Sequence, residues 1–197
     1  MADAAGRPNQ KSRTRKDLLR AAARLMQAGK SPTLEEVAAE AMVSRATAYR
    51  YFPGVEALLT EAALDVAMPD AETLFAEDGA SEPLDRLLRA DAAVAAMVRA
   101  NEPALRAMLI HSLQQGLGGA GVPVRQNRRM PLIEAALAPA RAALSPWIHD
   151  RLVKALALVI GTESMLAFKD VLRIAVEEAD ALRRWMIRAL YEAARKA

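Results

Sequence analysis

Apolar residues recur at three- and four-residue intervals along most of the chain, and two-residue alternation never lasts, so the pattern predicts helices throughout. From Arg13 to Ala28, Leu18, Ala22, Leu25 and Met26 share one face, and Asp17, Arg20, Arg24 and Gln27 share the opposite one. Gly29 stands where a helix C-terminus wants a residue free to turn left-handed. Thr33 and Glu36 have the spacing of a capping box, and Leu34, Val37, Ala38 and Ala41 behind them make a single apolar face. Val43 falls in a turn, and Ser44 is a second good N-cap for a short helix over residues 45–51. Pro53-Gly54 breaks the chain. Val55, Leu58, Leu59, Ala62 and Val66 then stripe a further helix as far as Met68-Pro69, where it ends or kinks.

The rest reads as longer helices. Leu84, Leu87, Leu88, Ala95 and Val98 predict one over about 83–100, and Asn101-Glu102-Pro103 opens another that ends near Gln115. Gly116, Gly118, Gly119 and Gly121 put four glycines in six residues, which reads as a mobile loop. A helix interrupted by Pro131 and Pro139 is expected from Val124 to Ala143. Ser145-Pro146 starts a long one through Trp147, Leu152, Leu156, Val159, Ile160 and Leu166, apolar all round between 155 and 160. A last helix over 177–194 stripes Ala179, Leu182, Trp185, Met186, Ala189 and Ala193. The expected fold class is all-α: a three-helix head followed by a larger helical domain.

Composition narrows the function. Hydrophobic residues are 53% of the 197, aromatic ones only 4%, and there is no cysteine, which excludes disulfides and thiolate metal sites. The N-terminus is basic and polar (Arg7, Lys11, Arg13, Arg15, Lys16) and has no apolar core, so it does not read as a signal peptide. The apolar run from Ala155 to Gly161 is too short to span a bilayer. A soluble cytoplasmic protein without a membrane partner is expected. Net charge is +3 overall, yet residues 1–60 carry ten Lys/Arg against six Asp/Glu, and the remainder carries seventeen against eighteen. The positive excess lies wholly at the end holding the short helices. A disordered basic tail would give the same asymmetry, so charge alone does not decide for a polyanion partner.

The segment from Thr33 to Leu59 decides more. Arg45-Ala46-Thr47-Ala48-Tyr49-Arg50-Tyr51 crowds hydroxyls, phenols and two arginines onto one short helix behind a capped turn. A helix-turn-helix needs this arrangement, with one helix bracing while the next offers donors to phosphates and base edges. Residues 1–12 read as a flexible basic arm and 13–54 as the DNA-binding head. Arg45, Thr47 and Tyr49 are placed to face bases, and Arg50 and Tyr51 lie nearer the DNA backbone. Ala48 and Phe52 fall on the inward face. Thr33 is a cap and a candidate phosphate contact, and Arg13 and Lys16 are candidate electrostatic contacts.

The pattern xVAAxAxVSxxTxYxYFPxxEALL, with three short helices and a longer helical remainder, resembles the TetR (tetracycline-repressor-like) family of bacterial transcriptional regulators. The resemblance runs from about Arg13 to Leu64. It departs from the family at Met42, where the turn usually has glycine, and at Val55, where a phosphate-binding lysine is usual. The resemblance implies that Thr47, Tyr49 and Tyr51 mostly meet phosphates, alongside Ser44 at the helix start, and that small Ala46 allows close approach. It implies a homodimer on a palindromic double-stranded operator, with residues 55–197 forming an effector-binding and dimerisation domain. Leu152, Leu156, Val159, Ile160, Leu182, Trp185, Met186 and Ala189 are the expected dimer interface. It also implies a cavity for a small effector, apolar or weakly polar given the scarcity of charge there. Asp91, Met97, Met108, Leu109, His111, Met130 and Met165 are its candidate liners, although methionine stripes are more often ordinary core, and a rim position suits Asp91 as well.

Nothing points to catalysis. His111 and His149 lie in different predicted helices without spaced partners, and His149, one turn into its helix, is expected on the surface. No HExxH, GxSxG or phosphate-binding glycine loop occurs, and neither metal nor cofactor is expected. The reading from residues is a ligand-responsive DNA-binding repressor. The alternative is a helical protein–protein interaction module without DNA binding.

Overall fold

Capping chemistry and proline placement set the boundaries of the helices. A computed structural model of the chain describes residues 6–76, 82–116 and 127–197, and among them no strand occurs. Helix α1 spans Gly6–Gln27, α2 Leu34–Glu40, α3 Arg45–Tyr51 and α4 Val55–Ala67. Short α5 (Ala71–Leu74) follows, then α6 (Pro83–Ala100) and α7 (Glu102–Gly116). Next come α8 (Arg129–Leu137), a 3-10 segment at Ala138–Ala143, and α9 (Pro146–Val159). Helix α10 (Thr162–Leu166), a wide turn over Ala167–Leu172 and α11 (Val176–Arg195) complete the order.

The chain divides into two compact units. The first holds residues 1–67 and 102–126, and the second 68–101 and 127–197. The first unit therefore runs past residue 54: α4 packs on α1 and on α7 rather than starting a separate body. Its core is Leu18, Leu19, Ala21 and Ala22 of α1 with Leu34, Val37 and Ala38 of α2, Ala48, Tyr51 and Phe52 at α3, and Leu58 and Ala62 of α4. In the second unit α6 lies against α8 and α11, and α9 against α8 and α11. Leu87, Val94 and Val98 are buried there on α6, Ile133 and Leu137 on α8, Leu152 and Leu156 on α9, and Ile187 on α11.

Three expected boundaries are corrected. Helix α1 begins at Gly6 rather than Arg13, so residues 6–12, expected as arm, continue the helix. Pro8 does not prevent this, because in a first turn its missing N–H would have had no helical partner. The long helix expected over 145–166 breaks at Gly161, whose φ of 144° is open to glycine and strained for other residues. The Arg129 guanidinium occupies the space a β-carbon would need there. Its Nη1 donates to the carbonyls of Ala157 at 2.9 Å and Ile160 at 3.3 Å and to Glu163 Oε2 at 2.6 Å, so it caps the end of α9. The helix expected from Val124 starts at Arg129, with Pro131 in its first turn, and gives way to the 3-10 segment that contains Pro139. The glycine-rich stretch after Gly116 lies outside the described residues.

Candidate nucleic-acid interface

Both caps read from the sequence are present. Thr33 Oγ1 accepts from the Glu36 N–H at 3.2 Å, and Glu36 Oε2 accepts from the Thr33 N–H at 2.7 Å. That bond from the Thr33 backbone holds the Glu36 carboxyl below its ordinary value. Ser44 Oγ accepts from the Thr47 N–H at 3.1 Å and lies 2.9 Å from the Thr47 hydroxyl. Between the two helices the turn closes without glycine. Met42 itself adopts the left-handed conformation, with φ of 55°, and is 92% exposed. Its N–H donates to Ala39 and the Val43 N–H to Ala38, at 3.0 and 2.9 Å, the pair of bonds that ends a helix in a Schellman motif. Gly29 ends α1 in the same way, with φ of 74°.

Helix α3 is only seven residues long, and its two sides differ in kind. Ala48, Tyr51 and Phe52 are buried, whereas Ser44, Arg45, Ala46, Tyr49 and Arg50 are exposed and Thr47 is half-buried. Arg45 Nε pairs with Glu35 Oε1 of α2 at 2.8 Å, and the Tyr49 hydroxyl donates to the same oxygen at 3.4 Å. The Arg45 guanidinium also sits 5.5 Å from the Tyr49 ring centre. Thr33 is exposed at the start of α2, and Arg13 and Lys16 are exposed on α1.

Tyr51 is a correction. It is 2% exposed and belongs to the head core. Positions 48, 51 and 52 stand three and four apart, so they share the inward face of α3, and Tyr51 packs instead of presenting its ring to DNA. Val55 likewise packs against this core, so its position offers no cation.

One residue of the head was not legible as functional. Arg15, between the exposed Arg13 and Lys16, is 1% exposed. Its Nη2 meets Glu61 Oε2 at 2.5 Å and its Nη1 donates to the Tyr51 carbonyl at 3.1 Å. The signal was spacing: Arg15 lies three and four residues before Leu18 and Leu19, and so on their face.

The expected effector liners fall in both units. Met108 and Leu109 belong to the first unit, and Asp91, Met97, Met130 and Met165 to the second. The side chain of His111 lies outside the described residues. Asp91 and Met165 line a cavity of about 20 Å³ with Ala95, Val98, Arg99, Gly161 and Arg183. That is room for about one water. Asp91 is not a rim residue: it is 3% exposed, and Arg183 Nε donates to it at 2.9 Å. Burial pushes its carboxyl up against the pull of Arg183. Arg183 also holds Asp180 at 2.5 Å, and Arg99 reaches Asp180 at 3.2 Å. His149, expected at the surface, is 5% exposed and lies against Arg141.

The expected dimer residues divide. Leu152, Leu156 and Ile160 are buried within the protomer, so they are corrected to core. Val159, Leu182 and Met186 are half-buried, and Ala189 and Trp185 are exposed, Trp185 at 66%. Trp147 and Leu158 on α9 are exposed as well, and were not expected at an interface. An apolar groove of about 290 Å³ runs between α9 and α11, lined by residues that include Ile148, Ala155, Leu190 and Ala193. Among the described residues no group of three or more His, Asp or Glu could hold a metal, and no helix is long and apolar enough to cross a membrane.

Residues 18–62, from the middle of α1 through most of α4, match the family model described as bacterial regulatory proteins, tetR family. No curated protein and no solved structure matches the chain.

Proposed function

We propose that this chain, a helix-turn-helix DNA-binding transcription regulator of the tetR family of bacterial regulatory proteins, works as a homodimer on a palindromic operator. In this reading it is a cytoplasmic repressor whose hold on DNA is set by a small-molecule effector. One observation carries it: within the matched segment, α3 turns Arg45, Ala46, Tyr49 and Arg50 outward while its caps and Ala48, Tyr51 and Phe52 fix it to the head. A helix held at both ends and on one face can enter a major groove without reordering, and its outer donors then meet phosphates and base edges.

Dimerisation is supported by Trp147, Leu158 and Trp185, large apolar side chains left exposed on α9 and α11. Two heads on one twofold axis read half-sites about one helical turn apart. Control by an effector rests on the family. A pocket for such a ligand is usually on the order of 300 Å³ or more, far more than the water-sized cavity at Asp91 offers. The ligand acts only if it prefers one spacing of the two heads over the other.

The experiment is selection of bound duplexes from a random pool, then affinity measured against salt. A preferred palindrome is expected, with affinity falling roughly a thousandfold or more between 50 and 200 mM salt. Sedimentation should give twice the 21.3 kDa of the chain. Salt-independent behaviour with no enriched sequence would reject DNA reading in favour of a protein-docking head.

A further inference from the structure

We propose that Glu35 is the specificity-determining residue of this DNA interface, a carboxylate that holds Arg45 and Tyr49 in place and away from unselected phosphates. The proposal rests on the DNA-binding reading above.

A cation and a hydroxyl donor on the outer face of α3 converge on one oxygen of α2. Glu35 Oε1 takes Arg45 Nε at 2.8 Å and the Tyr49 hydroxyl at 3.4 Å. The guanidinium stacked near the Tyr49 ring completes the arrangement. Glu36 beside it cannot do the same work, because it is engaged in capping Thr33. Arg45 is held through Nε, which leaves the N–H groups of its two terminal nitrogens for another partner. A planar fork of this kind fits the O6 and N7 acceptors of a guanine.

The consequence differs between right and wrong sequences. On a random duplex a phosphate away from the held fork gains Arg45 only if Arg45 leaves Glu35, whose negative charge then stays beside the DNA. On a site with guanine at the right step, Arg45 keeps Glu35 on Nε and gives its fork to the base. The pair is solvent-open, with side chains 68% and 43% exposed, so the exchange is available to DNA. Glu35 thus weakens unselected binding more than selected binding, which is negative selection by an unpaired charge.

The test uses the full chain and its Glu35→Gln, Glu35→Asp, Arg45→Gln and Glu35→Gln/Arg45→Gln variants. The probes are random-sequence duplex DNA and a duplex enriched by the wild-type protein. Glu35→Gln should bind random duplex about fivefold tighter at low salt. Its salt slope should steepen by about 0.9, one more phosphate neutralised, while the enriched duplex gains less. Glu35→Asp, which restores the carboxylate, should return the ratio towards wild type. In the Arg45→Gln background the gain should shrink to less than half. Unchanged or weaker random binding by Glu35→Gln overturns the proposal, and so does an equal gain without Arg45. A loss confined to the enriched duplex also overturns it, since Glu35 would then read a base itself. A wild-type protein that binds no random duplex and enriches none would overturn the DNA-binding reading as well, so the two failures are distinguishable.

Discussion

Arg15 of α1 and Glu61 of α4 form an ion pair of 2.5 Å with both side chains almost wholly buried. The same guanidinium donates to the carbonyl of Tyr51 at the end of α3 and lies 4.4 Å from the ring centre of Phe52. One cation therefore joins three helices of the head and fixes where α3 stops. Removing either residue takes the ion-pair partner from a buried charge. Arg15→Met or Glu61→Gln should each lower the unfolding free energy by about 3–5 kcal/mol, and Arg15→Met with Glu61→Leu should recover much of it. Urea denaturation of the three variants measures this. A double variant as weak as the sum of the singles would show that the two residues act independently, and would overturn the buried pair as the cause of the losses.

Met42 holds a left-handed backbone with its side chain in solvent. A β-carbon in that conformation costs roughly 1–2 kcal/mol, which glycine avoids at some cost in unfolded-state entropy. Met42→Gly should therefore stabilise the head by about 1 kcal/mol, because the methionine side chain packs against nothing buried. Met42→Val should destabilise it. Thermal melting of both decides, and a lower melting temperature for Met42→Gly would contradict this account of the turn.

These two sites show what the sequence does and does not reveal. Thr33, Ser44 and Gly29 are legible because a cap or a stop is a local device, decided within four residues. Ala48 and Phe52 follow from helical period in the same way. Arg15 shares the helical face of Leu18 and Leu19, but only its partner 46 residues away makes a cation there part of the core. Asp91 and Arg183 are 92 residues apart, so the pair has no sequence signature. Leu152, Leu156 and Ile160 lie in a run that is apolar all round. Such a run tells that several sides are covered, not whether the cover comes from the same chain.

His149 is buried, and desolvation, with Arg141 beside it, lowers its pKa from the ordinary 6.5, while Glu134 and Asp150 act the other way. Below about pH 6.5 the unfolded chain takes up this proton before the folded one does. The unfolded state is then favoured, and stability falls as pH drops. His149→Gln should flatten the pH dependence of unfolding between pH 6.5 and 5. An identical slope in the variant would remove His149 as its source.

Arg45 and Tyr49 face outward from α3, and neither is part of the head core. Arg45→Ala and Tyr49→Ala should each weaken binding to the enriched duplex about tenfold, with the salt slope unchanged for Tyr49→Ala, whose phenol carries no charge to neutralise a phosphate. Melting temperatures should stay near wild type. Tyr51→Ala should do the reverse in kind: as a buried aromatic its loss should cost about 3–5 kcal/mol of stability. Unchanged DNA affinity in both outward variants would move the reading surface off α3.

Trp185 and Leu156 separate assembly from folding. Trp185 is exposed on α11, opposite the buried line Ala179, Arg183, Ile187 and Tyr191, whereas Leu156 is fully buried on α9. A large indole at the centre of a dimer contact typically contributes about 2 kcal/mol or more of association. Trp185→Glu should therefore weaken dimerisation roughly thirtyfold or more and leave each protomer helical. Leu156→Ala opens a cavity in the protomer and should cost about 2–5 kcal/mol of unfolding free energy. Sedimentation across a dilution series, with circular dichroism on the same samples, reads both effects. If Trp185→Glu stays dimeric at every concentration, the exposed face of α11 is not the contact, and the groove beside Ile148 and Leu190 becomes the next surface to substitute.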